Sequence, residues 1–310
     1  MSSIVIEGLG MIYRTGFWGR KKAALKDLDL TIEPNEIFGY VGPNGAGKTT
    51  TIKILVGLQR QTSGRASILG KDISDVEARR KIGYMPENPY FYEYLTTEES
   101  LHFYGKLCGM TREERRRRVP EMIEYMDIPD IAKLRVGAFS KGMRQRLGLA
   151  QAMIHDPEMV ILDEPLHGLD PVGRRQLREK IVSLKERGKT VFFSSHILSD
   201  VEQICDRVGM LFHGELVEVG AIESLLESHV RSIEISARNL SGPAVETLKQ
   251  TADKFAERDS VYYCSVRDQE KGREVVKLIH EAGGELLSYV PQRESLEDYF
   301  MARSKEGGRK

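Results

Sequence analysis

The stretch Ile37-Phe38-Gly39-Tyr40-Val41-Gly42-Pro43-Asn44-Gly45-Ala46-Gly47-Lys48-Thr49-Thr50 decides the fold. Ile37–Val41 reads as a buried strand that runs straight into glycines, and residues 48–58 read as the helix that follows. Glycines at these positions let the backbone wrap an anion with its N–H groups pointing inward, where side chains would block the approach. The helix aims the positive end of its dipole at the same anion. Gly42 to Thr49 is a full match to the phosphate-binding loop pattern. There Lys48 neutralises the β- and γ-phosphates of a nucleotide and the Thr49 hydroxyl ligates Mg²⁺.

Outward from that loop, Met159-Val160-Ile161-Leu162-Asp163-Glu164-Pro165 places two adjacent carboxylates at the end of a second apolar strand. Asp163 is expected to hold Mg²⁺ through water, and Glu164 to orient and polarise the attacking water. Residues 191–193 have the same continuous apolar character, which suits a parallel sheet covered on both faces. The helix expected over 171–187 opens with Pro171 after Asp170 and closes at Gly188. Strands alternating with helices give an α/β core with crossover connections.

Two segments leave this rhythm. Residues from about 90 to 156 show helices only (97–108, 111–126 and 141–155), a helical subdomain inserted between core strands. From about Ala221 a small α/β unit follows. It has strands at 232–236, Val261–Val266 and 285–290, with helices around 244–257, 272–282 and 294–301. The tail 303–310 is expected to fray. Five arginines and two glutamates fill 112–118, and i,i+4 pairing favours a solvated helix face over a phosphate or lipid contact.

Composition sets outer limits. The 310 residues balance 46 Lys+Arg against 46 Asp+Glu, which argues against nucleic acid as the main partner. The three cysteines, Cys108, Cys205 and Cys264, are far apart and fit neither a disulfide framework nor a zinc spacing. No apolar run approaches the roughly 18–20 residues that span a bilayer, and the first residues lack the features of a signal peptide. A cytosolic globular protein is expected.

With these motifs in order, roughly residues 1–220 resemble the nucleotide-binding subunit of an ABC transporter. The resemblance implies an α/β fold, a P-loop NTPase core with an inserted helical subdomain and a small C-terminal α/β domain. It implies ATP and Mg²⁺ as cofactors, bound by residues 42–50, including Pro43, Asn44, Ala46 and Thr50. The family signature stands here as Phe139-Ser140-Lys141-Gly142-Met143. Lys141 and Met143 depart from the usual pattern, whereas Ser140 and Gly142, which in the family grip the γ-phosphate held by the opposite subunit, are retained. Gly168-Leu169-Asp170 matches the loop that contacts the partner subunit, and His196 matches the histidine that bonds the γ-phosphate and helps position water. Tyr13 stands where the family stacks an aromatic on adenine, with Phe17 and Trp18 as competitors. The usual glutamine after the strand at Ile82-Gly83-Tyr84-Met85 is replaced by Glu87, which still offers an oxygen to Mg²⁺.

The resemblance also implies a head-to-tail dimer, with a second copy or a related ATPase subunit, around two ATP molecules. The expected partner is an integral-membrane permease, and the expected place is the cytoplasmic face of the inner membrane. The phosphate loop, the Lys-bearing signature and the ending Ser295-Leu296-Glu297-Asp298-Tyr299-Phe300 look like exporter-type subunits of the ABC-2 kind. Two readings of Tyr90, Phe91, Tyr92 and Tyr94 stand level: a socket for a coupling helix of the permease, or packing inside the helical subdomain. Two alternative functions are a soluble ABC ATPase in DNA repair or ribosome-linked work, and a nucleotide-gated interaction protein without turnover. Neutral charge and a single ATPase unit oppose the first; the presence of Glu164 and His196 opposes the second.

Overall fold

The computed structural model describes residues 2–15, 20–226, 230–293 and 296–300. They divide into two compact units, one ending at Ile222 and the other beginning at Glu223. In chain order the first holds β1 (Ile4–Thr15), β2 (Arg20–Ile32), β3 (Ile37–Val41), α1 (Lys48–Leu55), β4 (Ser63–Ile68), β5 (Lys71–Asp72), α2 (Val76–Arg80) and β6 (Ile82–Met85). There follow α3 (Thr97–Leu107), α4 (Arg112–Tyr125), α5 (Lys141–Met153), β7 (Met159–Asp163), α6 (Pro171–Glu186), β8 (Thr190–Ser195), α7 (Leu198–Ile204), β9 (Arg207–Phe212) and β10 (Glu215–Ala221).

The central sheet has the order β10-β9-β3-β8-β7-β6. All its pairings are parallel except the hairpin β9–β10. Every residue of β3, β7 and β8 is buried, as continuous apolar runs in a doubly covered sheet require. A second, wholly antiparallel sheet, β2-β1-β4-β5, was not anticipated from the sequence. Its strands bury one face only: in β2 the buried positions are Leu25, Leu28, Leu30 and Ile32, with charged or polar residues between. Ile4, Ile6 and Leu9 of this sheet join Phe38, Ile52 and Phe192 in one core.

The helical insertion holds α3, α4 and α5, each started by a capping box on Thr96, Thr111 or Ser140. Such caps satisfy backbone donors that the helix itself leaves open. Expected helix ends at 58, 108, 126, 155 and 187 fall one to three residues beyond the observed ones.

The second unit runs α8 (Ile222–Leu226, straddling the division), β11 (Val230–Arg238), α9 (Gly242–Thr251), β12 (Lys254–Arg258), β13 (Val261–Val266), α10 (Gln269–Glu281) and β14 (Glu285–Arg293). Its sheet, β12-β13-β11-β14, is antiparallel throughout. Leu248 of α9 and Val275 and Ile279 of α10 pack on Ile233, Ile235 and Val266. The helix expected to 257 stops at Thr251, because residues 254–258 pair with β13. Asp259 and Ser260 take φ of 53° and 61°, a two-residue turn with both centres left-handed. Residues 296–300 are helical; the rest of the expected last helix and the tail 303–310 lie outside the described residues. Among the described residues no helix is long and apolar enough to cross a membrane.

Candidate nucleotide site

The loop between β3 and α1 is shaped by backbone that favours glycine. Gly45 has φ +80°, a backbone that side chains rarely adopt, and a Cβ there would face open space. Gly47 has φ +118°, and a Cβ would come 2.7 Å from the Ala24 carbonyl oxygen; no side chain fits there. Lys48 is buried, with Nζ donating to the Gly42 carbonyl at 2.6 Å and lying 3.2 Å from Glu164 Oε1.

Parallel pairing carries the acidic pair to the same place. Asp163 ends β7 opposite Ser194 of β8. The Ser194 hydroxyl donates to Asp163 Oδ1 at 2.7 Å and accepts from the Glu164 N–H at 2.9 Å, so one buried side chain fixes both acids. The Thr49 hydroxyl donates to the same Asp163 oxygen at 3.4 Å. Burial pushes the Asp163 carboxyl above its ordinary range; hydrogen bonds from Ser194 and Thr49 oppose this, and the charges of Glu164 and Glu87 add to it. Burial, helped by Asp163, also raises the Tyr84 phenol to about 12. Crowded hard oxygens that resist further negative charge suit a divalent cation such as Mg²⁺.

Glu164 has φ +49°, a left-handed backbone that turns its side chain back toward the loop. Its Oε2 lies 2.8 Å from His196 Nδ1 and accepts from the His196 backbone N–H at 3.3 Å. A carboxylate can only accept, so His196 carries a proton on Nδ1 and leaves Nε2 for other work. The same turn brings in His167, whose backbone N–H donates to the Glu164 carbonyl at 3.1 Å and whose ring centroid is 5.3 Å from that of His196.

These groups share a cavity of about 990 Å³, which the loop residues Pro43 to Thr50 line together with Tyr13, Glu87, Glu164, His167 and His196. Gly42 stands at the loop's entrance, its carbonyl turned to Lys48. The Tyr13 hydroxyl donates to Gln59 Oε1 at 2.8 Å and meets the Thr50 hydroxyl at 3.3 Å, which fixes its ring on one wall. Phe17 and Trp18 lie outside the described residues. The Glu87 carbonyl accepts from the buried Gln145 of α5 at 3.0 Å. Ser140 and Gly142 do not line this cavity: Ser140 caps α5, its hydroxyl accepting from the Met143 N–H at 3.3 Å, and Gly142 adjoins Leu169. Sequence reasoning missed Ser194, His167 and the Lys48–Glu164 pair; a histidine just after the acidic pair was the one visible signal.

The model of a family described as "ABC transporter" matches residues 25–167. An ABC transporter ATP-binding protein of Synechocystis sp. is 43% identical, covering 97% of this chain and 84% of its own length. The Nod factor export ATP-binding protein I of Burkholderia lata is 33% identical, covering 90% of this chain and 91% of its own. Among solved structures, a dimeric ATP-binding cassette in a post-hydrolysis state bound to ADP and Pi superposes with a TM-score of 0.65 at 26% identity, covering 71% of this chain and 98% of that one.

Proposed function

Because the chain belongs to the ABC transporter family, as an ATP-binding subunit that hydrolyses ATP to power a membrane permease, we propose that the cavity above its phosphate loop is the nucleotide site. The convergence of Lys48, Thr49, Glu164 and His196 in that one cavity, with Asp163 bonded to Thr49 just behind its wall, carries this reading.

The backbone of residues 42–47 cradles the phosphates, with Lys48 and the α1 N-terminus supplying positive charge. Tyr13 offers its ring to the base, beside Thr50. Thr49, Asp163 and Glu87 are the oxygen donors for Mg²⁺, which when bound offsets phosphate charge. Lys48 is paired with Glu164. A terminal phosphate competes for that ammonium and leaves Glu164 held by His196, free to polarise water. Ser140 and Gly142, outside this cavity, serve the nucleotide of a second copy or related ATPase subunit, so closure of the pair completes two sites. Closure and reopening then move the permease between its states. Export is the direction favoured, since a relative covering nearly the whole chain is named for it. The subunit is placed on the cytoplasmic face of the inner membrane through its permease. Likeness to transporter subunits over almost the full chain weighs against a soluble repair or ribosome-linked role.

The test is Glu164→Gln with Mg²⁺ and ATP. Hydrolysis should fall by about 10²–10⁴-fold, the usual share of a general base, while binding persists and sedimentation shows an accumulated dimer. Wild-type turnover, or a lone subunit at saturating nucleotide, would refute the assignment.

A further inference from the structure

His167 stands in the nucleotide cavity with no task in the chemistry above. Three features set its ring. The turn closed by its N–H on the Glu164 carbonyl folds the chain back toward the site. Glu164, where that turn begins, has a left-handed backbone. The ring then lies beside His196, at 5.3 Å between centroids and 57° between planes.

Its neighbours are already engaged. Glu164 is shared between Lys48 and His196, and His196 Nδ1 is tied to Glu164. Neither ring nitrogen of His167 bonds a protein group among the described residues. An imidazole carries at least one N–H, and this half-buried ring lines the cavity with no protein acceptor engaged among the described residues. The end of the cavity it flanks, marked by Lys48, Glu164 and His196, is where the last phosphate of a triphosphate falls if the cavity is the nucleotide site, a reading on which this inference rests.

We propose that His167 donates a hydrogen bond to the terminal phosphoryl group of the nucleoside triphosphate held in its own chain's cavity, and so helps the site tell a triphosphate from a diphosphate. A diphosphate ends short of this ring and gains nothing from it.

The experiment measures equilibrium binding of ATP and of ADP, both with Mg²⁺, to the full chain carrying Glu164→Gln so that hydrolysis does not intervene. Adding His167→Ala should weaken ATP about tenfold, the share of a hydrogen bond to a charged oxygen, and leave ADP within about twofold. His167→Gln, whose amide N–H has similar reach, should recover most of the ATP affinity. Equal losses for ATP and ADP would assign the ring to packing of the turn and overturn the proposal, as would no loss for either. A defect confined to protein concentrations at which the dimer forms would place His167 at the subunit interface and overturn it too. A parent protein that binds neither nucleotide would sink the cavity's own assignment, and this proposal with it.

Discussion

Asp200 follows His196 by four residues and is 1% exposed, with Arg178 Nη1 at 3.5 Å from Oδ1 and Arg174 Nη1 at 3.9 Å from Oδ2. Its Oδ2 has no hydrogen-bond partner. Burial pushes this carboxyl up; the guanidiniums of Arg174 and Arg178 pull it back, but less. A raised folded-state value means that the folded chain holds the proton more tightly than the unfolded one, so stability falls as pH rises through that interval. Near neutral pH the charged carboxylate is therefore a net cost. Asp200→Asn removes it, and both arginines, 21% and 30% exposed, still reach water. The melting temperature near neutral pH should rise, by about 2–4 °C for every kcal/mol relieved in a domain of this size. That gain should vanish as pH falls into the ordinary carboxylate range. A lower melting point for Asp200→Asn near neutral pH would show that pairing outweighs burial. Asp200 was not legible in the sequence, and neither was Ser194, because their partners are set by helix packing and cross-strand register. Lys48, Thr49, Asp163 and Glu164 were legible, because phosphate and metal chemistry demands those types at fixed distances along the backbone.

At the level of elements, legibility followed local pattern. Ile37–Val41 and Val261–Val266 were placed to the residue, since each is a short apolar or β-branched run bounded by turn residues. Residues 254–257 carry charges at Lys254 and Glu257 and read as the end of a helix; only pairing with β13 and the partial burial of Phe255 against Tyr262 make 254–258 a strand. The aromatic run before α3 is divided by the fold in a way its sequence did not foretell. Phe91 is 1% exposed and meets Tyr104 edge-on at 5.8 Å, so it belongs to the subdomain core. Tyr90, Tyr92 and Tyr94 are 79%, 40% and 66% exposed, so the socket reading is left with these three, of which Tyr90 and Tyr94 present the most surface. Tyr90→Ala with Tyr94→Ala should weaken co-purification of the membrane subunit and leave ATP affinity and melting temperature unchanged. Phe91→Ala should instead cost about 3–5 kcal/mol of stability. Undiminished complex formation by the double variant would remove the tyrosines from the interface.

Over the whole molecule, the described residues give each unit buried apolar clusters of its own. The first unit buries one large cluster, including Ile4, Leu9, Phe38, Ile52 and Phe192, between an antiparallel and a mostly parallel sheet; the second buries Ile233, Ile235, Leu248, Val266, Val275 and Ile279 under two helices of its own. Every residue assigned to nucleotide chemistry lies in the first unit. A void made in the second core should therefore be felt there and not at the phosphate loop. Ile235 is 1% exposed at the centre of that core, and Ile235→Ala should cost about 2–5 kcal/mol, the range for emptying a well-packed aliphatic site. Hydrogen exchange on the intact chain reads the two units apart. Amides of β11 and β13 should lose protection by the equilibrium factor that this cost implies, while those of β3 and β7 keep theirs and ATP affinity stays at its parent value. Equal loss of protection in β3 and β11 would mean that the chain opens as one cooperative body. The second unit would then be part of what holds the nucleotide site together, and not an independent accessory to it.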